Sequence, residues 1–248
     1  MNDASFLSNK PIPPRERLIM ALDAPSLAEA RQLVEELDDS VGFYKVGMEL
    51  FMCGDYFGFI EWLQQRQKKV FVDLKFFDIP ATVGRAIKAL SLRGVDFATI
   101  HGNDAIMAAA AEAKGELKVL AVTALTSLDQ GDLQDLGFQC DVQSLVLSRA
   151  KRALALGCDG VVSSGLEAAL LRERLDAKLL VITPGIRPVE NRAADDQKRA
   201  ASVEQALLNG ADYLVIGRPI RDAADRKAAA EQIQAQILQV FNQRRPTA

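Results

Sequence analysis

Three charged residues stand where an apolar run should carry none. Asp73 and Lys75 interrupt VFVDLKFFDIP (70–80), and Lys45 interrupts FYKVGM (43–48). In a strand, the i, i+2 spacing of Asp73 and Lys75 puts both side chains on one face and Val72 and Leu74 on the other. Ions in such a setting are costly unless they are paired. Lys45 at the end of a neighbouring strand supplies a second cation beside Asp73, and Asp78 a second anion. Two ammoniums alternating with two carboxylates would satisfy one another. Such an array is either a structural salt-bridge network or a site whose proton affinities are set by its neighbours.

A second group of residues reads as an anion cradle. TPGIRP (183–188) and IGRPIRDAADR (216–226) each bring glycine and arginine together late in the chain. Gly217 allows backbone N–H groups close to an anion and Arg218 offers a two-pronged fork, although ordinary turn chemistry would use the same residues. Between these groups, LTSLDQGDLQDLG (125–137) breaks helical periodicity and is long enough for a mobile lid or a plain surface loop. His101 in TIHGND either faces the site or caps the following helix.

The elements that would position these residues alternate along the chain. Short Val-, Ile-, Leu- and Phe-rich runs read as buried parallel strands: Leu18–Asp23, Phe43–Met48, Val70–Lys75, Phe97–His101, Leu117–Thr123, Gly160–Ser163, Leu179–Thr183 and Tyr213–Gly217. Amphipathic segments lie between them. Leu27, Ala30, Leu33, Val34 and Leu37 share one helical face after Ser26, a candidate N-cap with Glu29 three residues on. Further helices are predicted over Val142–Leu156, Leu166–Leu175 and about Ala223–Gln243, and Gly94, Gly157 and Gly210 stand where helices should stop. Eight such units predict an α/β chain folded as a single-domain (β/α)8 TIM barrel over residues 17–248, preceded by a loose arm at 1–16. An open doubly wound sheet is the rival architecture. The repeat is expected in structure rather than in sequence. In a barrel the strand ends form the working mouth, and here they carry Asp23, Lys45, Asp73, Lys75 and the Gly217–Arg218 turn.

Composition narrows the class. The 248 residues carry 30 Lys+Arg against 33 Asp+Glu, a balance unlike that of a general polyanion or nucleic-acid binder. Cysteines at 53, 140 and 158 are scattered and His101 is the single histidine, which argues against a disulfide framework, a zinc site and a Ser-His-Asp triad. No run is apolar for about 18 residues, so no membrane span is expected. The polar N-terminus lacks the apolar core of a signal peptide, and reduced thiols suggest the cytoplasm.

ALDAPS (21–26), FYKVGMELF (43–51), FVDLKFFDIPATV (71–83), LTS (125–127), TPGIRP (183–188) and VIGRPI (215–220) together resemble the orotidine 5′-phosphate decarboxylase family, from about residue 15 to the C-terminus. The DxKxxD motif followed by IPxTV is the most specific part. The resemblance implies a lyase that converts orotidine 5′-monophosphate to UMP, the last step of de novo pyrimidine synthesis, without metal or organic cofactor. It implies a homodimer with shared active sites. Lys45, Asp73, Lys75 and a partner-chain Asp78 would form the charged array, with Lys75 as proton donor. Asp23 and Lys45 would hold the ribose with Thr82 of the other chain, Thr126 and Ser127 would lie at the pyrimidine, and Pro184 would cover it. Arg187 would belong to the same substrate site, and Gln197, Gly217 and Arg218 would grip the phosphate. PVENRAADDQ (188–197) is about one residue longer than the common pattern. A related sugar-phosphate decarboxylase or aldolase shares the DxK…D strand but binds magnesium and has an acid where this chain has Lys45. A non-catalytic phosphate-ligand barrel would not need Lys75 beside Asp73.

Overall fold

A computed structural model describes residues 6–187 and 200–243. Its strands are β1 Leu18–Ala21, β2 Phe43–Gly47, β3 Lys69–Phe76, β4 Phe97–His101, β5 Lys118–Val122, β6 Gly160–Val162, β7 Leu180–Thr183 and β8 Tyr213–Ile216. They pair in parallel in chain order, and β8 returns to β1, so the sheet closes. The helices are α1 Leu27–Leu37, α2 Met48–Phe51, α3 Tyr56–Gln65, α4 Pro80–Ser91, α5 Asp104–Ala113, α6 Gln130–Asp135, α7 Val142–Ala155, α8 Ala168–Arg174, α9 Val203–Leu208, α10 Arg218–Arg221 and α11 Arg226–Asn242. Closure settles the choice between barrel and open sheet in favour of the barrel.

Alternation along each strand divides the apolar residues between two cores. Met20, Val46, Val72 and Ile100 face outward and pack with the helices, while Ile19, Phe43, Phe71, Phe97, Leu120, Ile182 and Tyr213 fill the barrel. The floor is aromatic: Phe97 meets Phe43 at 5.0 Å and Tyr213 at 5.2 Å, edge to face. Two residues further along the same inward rows, Phe43 gives way to Lys45 and Phe71 to Asp73. The barrel is therefore sealed below and charged above.

The bottom rim is held by a three-residue pattern that recurs in the sequence itself, contrary to the expectation of no sequence repeat. Gly94-Val95-Asp96, Gly157-Cys158-Asp159 and Gly210-Ala211-Asp212 precede β4, β6 and β8. Each glycine turns the chain at positive φ. Each aspartate then accepts a hydrogen bond from the strand before it, Val70 N–H at 2.8 Å, Val119 N–H at 2.8 Å and Val181 N–H at 2.9 Å. The aspartate's own N–H donates back to the carbonyl of the same valine. One carboxylate thus extends a strand pair below its last ladder bond.

Asp212 is the most loaded of the three. It is fully buried, paired with Arg172 at 2.6 Å and Lys10 at 3.0 Å, and accepts from the Ser8 hydroxyl at 2.6 Å. The described part of the N-terminal segment is consequently not a loose arm. Phe6 N–H donates to the Leu208 carbonyl, Ile12 packs against the interior core, and buried Arg17 donates to the Asp212 carbonyl beneath the Phe241 ring. Polar composition implied looseness, but these charges find their partners in residues some 200 positions away. Burial lowers the Lys10 ammonium below its ordinary pKa despite Asp212.

Removing one partner of a buried pair leaves uncompensated charge, so Asp212→Asn should cost about 3–5 kcal/mol. Asp159→Asn, at a half-exposed staple with one lysine partner, should cost less. Denaturant midpoints of the two variants check this ordering; equal or reversed losses would contradict it.

Candidate active site

The charged array forms at the C-terminal mouth, but not by simple strand alternation. Val72 pairs with Ala98 and Phe76 with Ile100, so Asp73, Leu74 and Lys75 bulge opposite Thr99 alone. Lys75 sits at φ 50°, a left-handed conformation that costs a non-glycine residue about 1–2 kcal/mol. Thr99, absent from the sequence reading, stabilises the bulge. Its hydroxyl accepts from Lys75 N–H at 3.0 Å and donates to Asp73 Oδ1 at 2.8 Å. The signal that could have found it was a threonine inside the apolar run FATIH (97–101).

With the bulge fixed, Lys75 Nζ folds back to Asp73 Oδ1 at 2.9 Å. Lys45 Nζ lies 3.5 Å from Asp73 Oδ2 and 3.2 Å from Asp23 Oδ1. The order Asp23–Lys45–Asp73–Lys75 is a line of alternating charge. Burial alone would raise the Asp73 carboxyl, but attraction from Lys45 and then Lys75, with bonds from Lys75 and Thr99, leaves it below its ordinary pKa. Burial likewise opposes the Lys45 ammonium, and Asp73 and Asp23 overcome it, leaving its pKa raised. The sign follows for both: Asp73 favours the folded state above the ordinary carboxylate pKa of about 3.9 and loses that contribution as pH falls through its lowered value. Lys45 contributes below the ordinary lysine pKa of about 10.4 and loses its part only as pH rises past its raised value.

These residues line a cavity of about 580 Å³. Asp23, Lys45, Asp73 and Lys75 form one wall, and Thr126 and Ser127 approach from the segment after β5. Pro184, Arg187, Gly217 and Arg218 close the end nearest β7 and β8. Glu49 and Arg221 also line it and were not foreseen. Exposed Asp78 and half-buried Thr82 lie outside that lining: Asp78 accepts from Ile79 N–H at 2.6 Å and Thr82 from Arg85 at 3.3 Å. Gln197 lies outside the described residues.

The segment at 125–137 is more ordered than its broken periodicity implied. It contains α6, whose start is closed reciprocally by Asp129 and Asp132, with Leu133 buried beneath. His101 takes neither expected role. Its ring packs against Phe77 at 4.6 Å, outside the cavity lining, and Asn103 caps α5.

A closed parallel barrel with its charged side chains gathered at the C-terminal mouth defines a (β/α)8 protein of the kind that works at that rim. Residues 16–233 match the model of the orotidine 5′-phosphate decarboxylase / HUMPS family, and the chain belongs to that family. It is 71% identical over 237 residues to an orotidine 5′-phosphate decarboxylase of Methylococcus capsulatus, covering 96% of this chain and 98% of that protein. It is 49% identical to the protein of the same name from Stenotrophomonas maltophilia, with 93% and 97% covered. The crystal structure of orotidine 5′-phosphate decarboxylase from Lactobacillus acidophilus is similar at a TM-score of 0.79 and 35% identity, with 90% of this chain and 99% of that one covered.

Thr99→Val keeps the shape of the side chain and removes both bonds. Leaving Lys75 N–H and a carboxylate lone pair unsatisfied should cost about 1–3 kcal/mol of stability and lower kcat more than it raises KM. Chemical denaturation and steady-state kinetics check both; a variant equal to the parent in each would show that the hydroxyl does not hold the bulge.

Proposed function

We propose that the chain decarboxylates orotidine 5′-monophosphate to UMP and carbon dioxide, the last step of de novo pyrimidine synthesis, with Lys75 protonating the reaction centre. The observation that carries this is the Asp23–Lys45–Asp73–Lys75 line beside a cavity whose far end holds Gly217 and Arg218. Family membership and the named relatives support the same reading.

The chemistry asks for this arrangement. The bond from carbon 6 to the carboxylate breaks, the electron pair stays on carbon 6, and carbon dioxide leaves. The ring delocalises that pair poorly. Lys75 supplies an ammonium that stabilises the carbanion and then gives it the Nζ proton; water restores the lysine. One charge pair at ~4 Å in an effective dielectric near 20 is worth ~4 kcal/mol, whereas enzymes lower barriers by ~8–23 kcal/mol. The remainder must come from groups fixed before substrate arrives and from phosphate binding energy. Asp73 holds Lys75; Asp23 and Lys45 hold the ribose; Thr126, Ser127 and Pro184 surround the base; Arg187, Gln197, Gly217 and Arg218 serve the substrate's phosphate side.

The sugar-phosphate branch of the superfamily is the other reading. Lys45 favours the decarboxylase, because its ammonium stands between Asp23 and Asp73, where a divalent cation would have to bind. A reaction without metal or organic cofactor fits that occupancy. Asp78 and Thr82 make sense in a homodimer with shared sites. Phe77 and Ile79 flank Asp78 and are two-thirds exposed, as is Met48 after β2, an apolar surface suited to a second copy. The free cysteines fit the reducing cytoplasm. Among the described residues no helix is long and apolar enough to cross a membrane.

The purified protein should turn over orotidine 5′-monophosphate with EDTA present, and Lys75→Ala should fold, retain part of its UMP affinity and lose kcat by about 10³-fold or more. No turnover by the parent, or near-normal turnover by the variant, would sink the assignment.

Mixing inactive Lys75→Ala and Asp78→Ala chains should restore activity, because one of the two sites in each hybrid dimer then holds both intact groups. Verified hybrids that stay inactive would rule out sharing.

A further inference from the structure

Arg221 has no place in the scheme above, yet it lines the cavity at the end of α10, one turn after Arg218. Its guanidinium is already committed. Nε donates to Asp222 Oδ1 at 2.7 Å, Nη2 to Asp222 Oδ2 at 3.2 Å, and Nη1 to the backbone carbonyl of Asp23 at 3.0 Å. Three of a guanidinium's five N–H groups are therefore spent within the protein, and the adjoining carboxylate offsets its charge. That is a poor state for gripping a ligand anion and a good one for fixing a backbone.

What it fixes is Asp23. The Asp23 carbonyl is held by Arg221 and its carboxylate by Lys45 Nζ at 3.2 Å. Leu22 N–H donates to the Lys45 carbonyl, so the chain leaving β1 is anchored just before Asp23 as well. The turn after β8 presses closely on the same place. A Cβ on Gly217 would come within 3.3 Å of Ala21 Cβ and 3.6 Å of Asp23 Oδ2. Arg221 itself is set by two further bonds: its N–H donates to the Gly217 carbonyl at 3.0 Å, and its carbonyl accepts from Arg226 Nε at 2.8 Å.

We propose that Arg221 is a positioning residue that couples the Gly217–Arg218 turn to the Asp23–Lys45 pair, so that an anion held by the turn sets the geometry of the charged line running to Lys75. The path is short and physical: the Gly217–Arg218 turn, the Arg221 fork, the Asp23 backbone, then Lys45, Asp73 and Lys75. Binding energy from a remote phosphate raises kcat only if something transmits it to the reacting centre. The inference rests on the decarboxylase reading, since it assigns the turn to phosphate and Asp23 to ribose.

The test compares three assays of the parent, Arg221→Met and Arg221→Lys. They are turnover of orotidine 5′-monophosphate, turnover of orotidine alone, and turnover of orotidine activated by phosphite dianion. With the fork removed, Arg221→Met should lose about 10- to 100-fold in kcat/KM on the full substrate, mostly in kcat, and a similar factor in phosphite activation. Its loss on orotidine alone should be at least about tenfold smaller, because no anion is bound for the link to transmit. Arg221→Lys can still donate to the Asp23 carbonyl and should recover part of the difference. Equal losses in all three assays, tracking a fall in Tm, would show a merely structural residue and overturn the proposal. Undiminished phosphite activation in Arg221→Met would overturn it too, with the parent's activity leaving the decarboxylase reading intact. A parent inactive on orotidine 5′-monophosphate would overturn both.

Discussion

The structure depends on one electrostatic constraint: charges placed in the mouth of an apolar barrel must neutralise one another without leaving water to do it. Asp73 meets this by standing between two ammoniums and accepting a hydroxyl from Thr99. Lys45 and Asp73 are the mostly buried members, so replacing either would leave the other's charge without its inner partner. Its proposed value to chemistry has the same origin. An ammonium fixed by neighbours does not have to reorganise when negative charge develops beside it.

Holding that line open demands rigidity, which the far end of the barrel supplies. Phe43, Phe71, Phe97 and Tyr213 fill the interior beneath the charges. Asp96, Asp159 and Asp212 tie successive strand pairs at the lower rim, and Asp212 draws the N-terminal segment under the barrel through Lys10 and Ser8. Charged groups thus work at both ends for opposite purposes: below they are saturated by backbone and opposite charge, and above they face an open cavity. Stability and chemistry can then change independently, as the (β/α)8 architecture allows.

Of the three described non-glycine residues at positive φ, Asp38, Gln67 and Lys75, the last lies where function is proposed. Lys75 occupies a left-handed backbone conformation within a bulge of β3, and the hydrogen bond to Thr99 offsets part of its cost. A regular strand would have aimed the ammonium along the pleat; the bulge turns it back onto Asp73.

Much was legible in the sequence because the signals are local. Strand-length apolar runs, the helical face after Ser26, and charges inside apolar runs identify the eight units and the Lys45, Asp73 and Lys75 cluster without coordinates. The Gly-x-Asp repeat was equally present but unread, since its meaning lies in the preceding strand's N–H. Tertiary structure alone decided closure, because β8 meeting β1 is a contact between the two ends of the chain. It alone turned the supposed loose arm into a tether, since Asp212, the partner shared by Lys10 and Ser8, lies more than 200 residues away. It alone revealed the bulge that aims Lys75, and the Thr99 and Arg221 contacts that hold the charged line, for a sequence fixes which groups exist while only packing fixes which of them come within hydrogen-bonding distance.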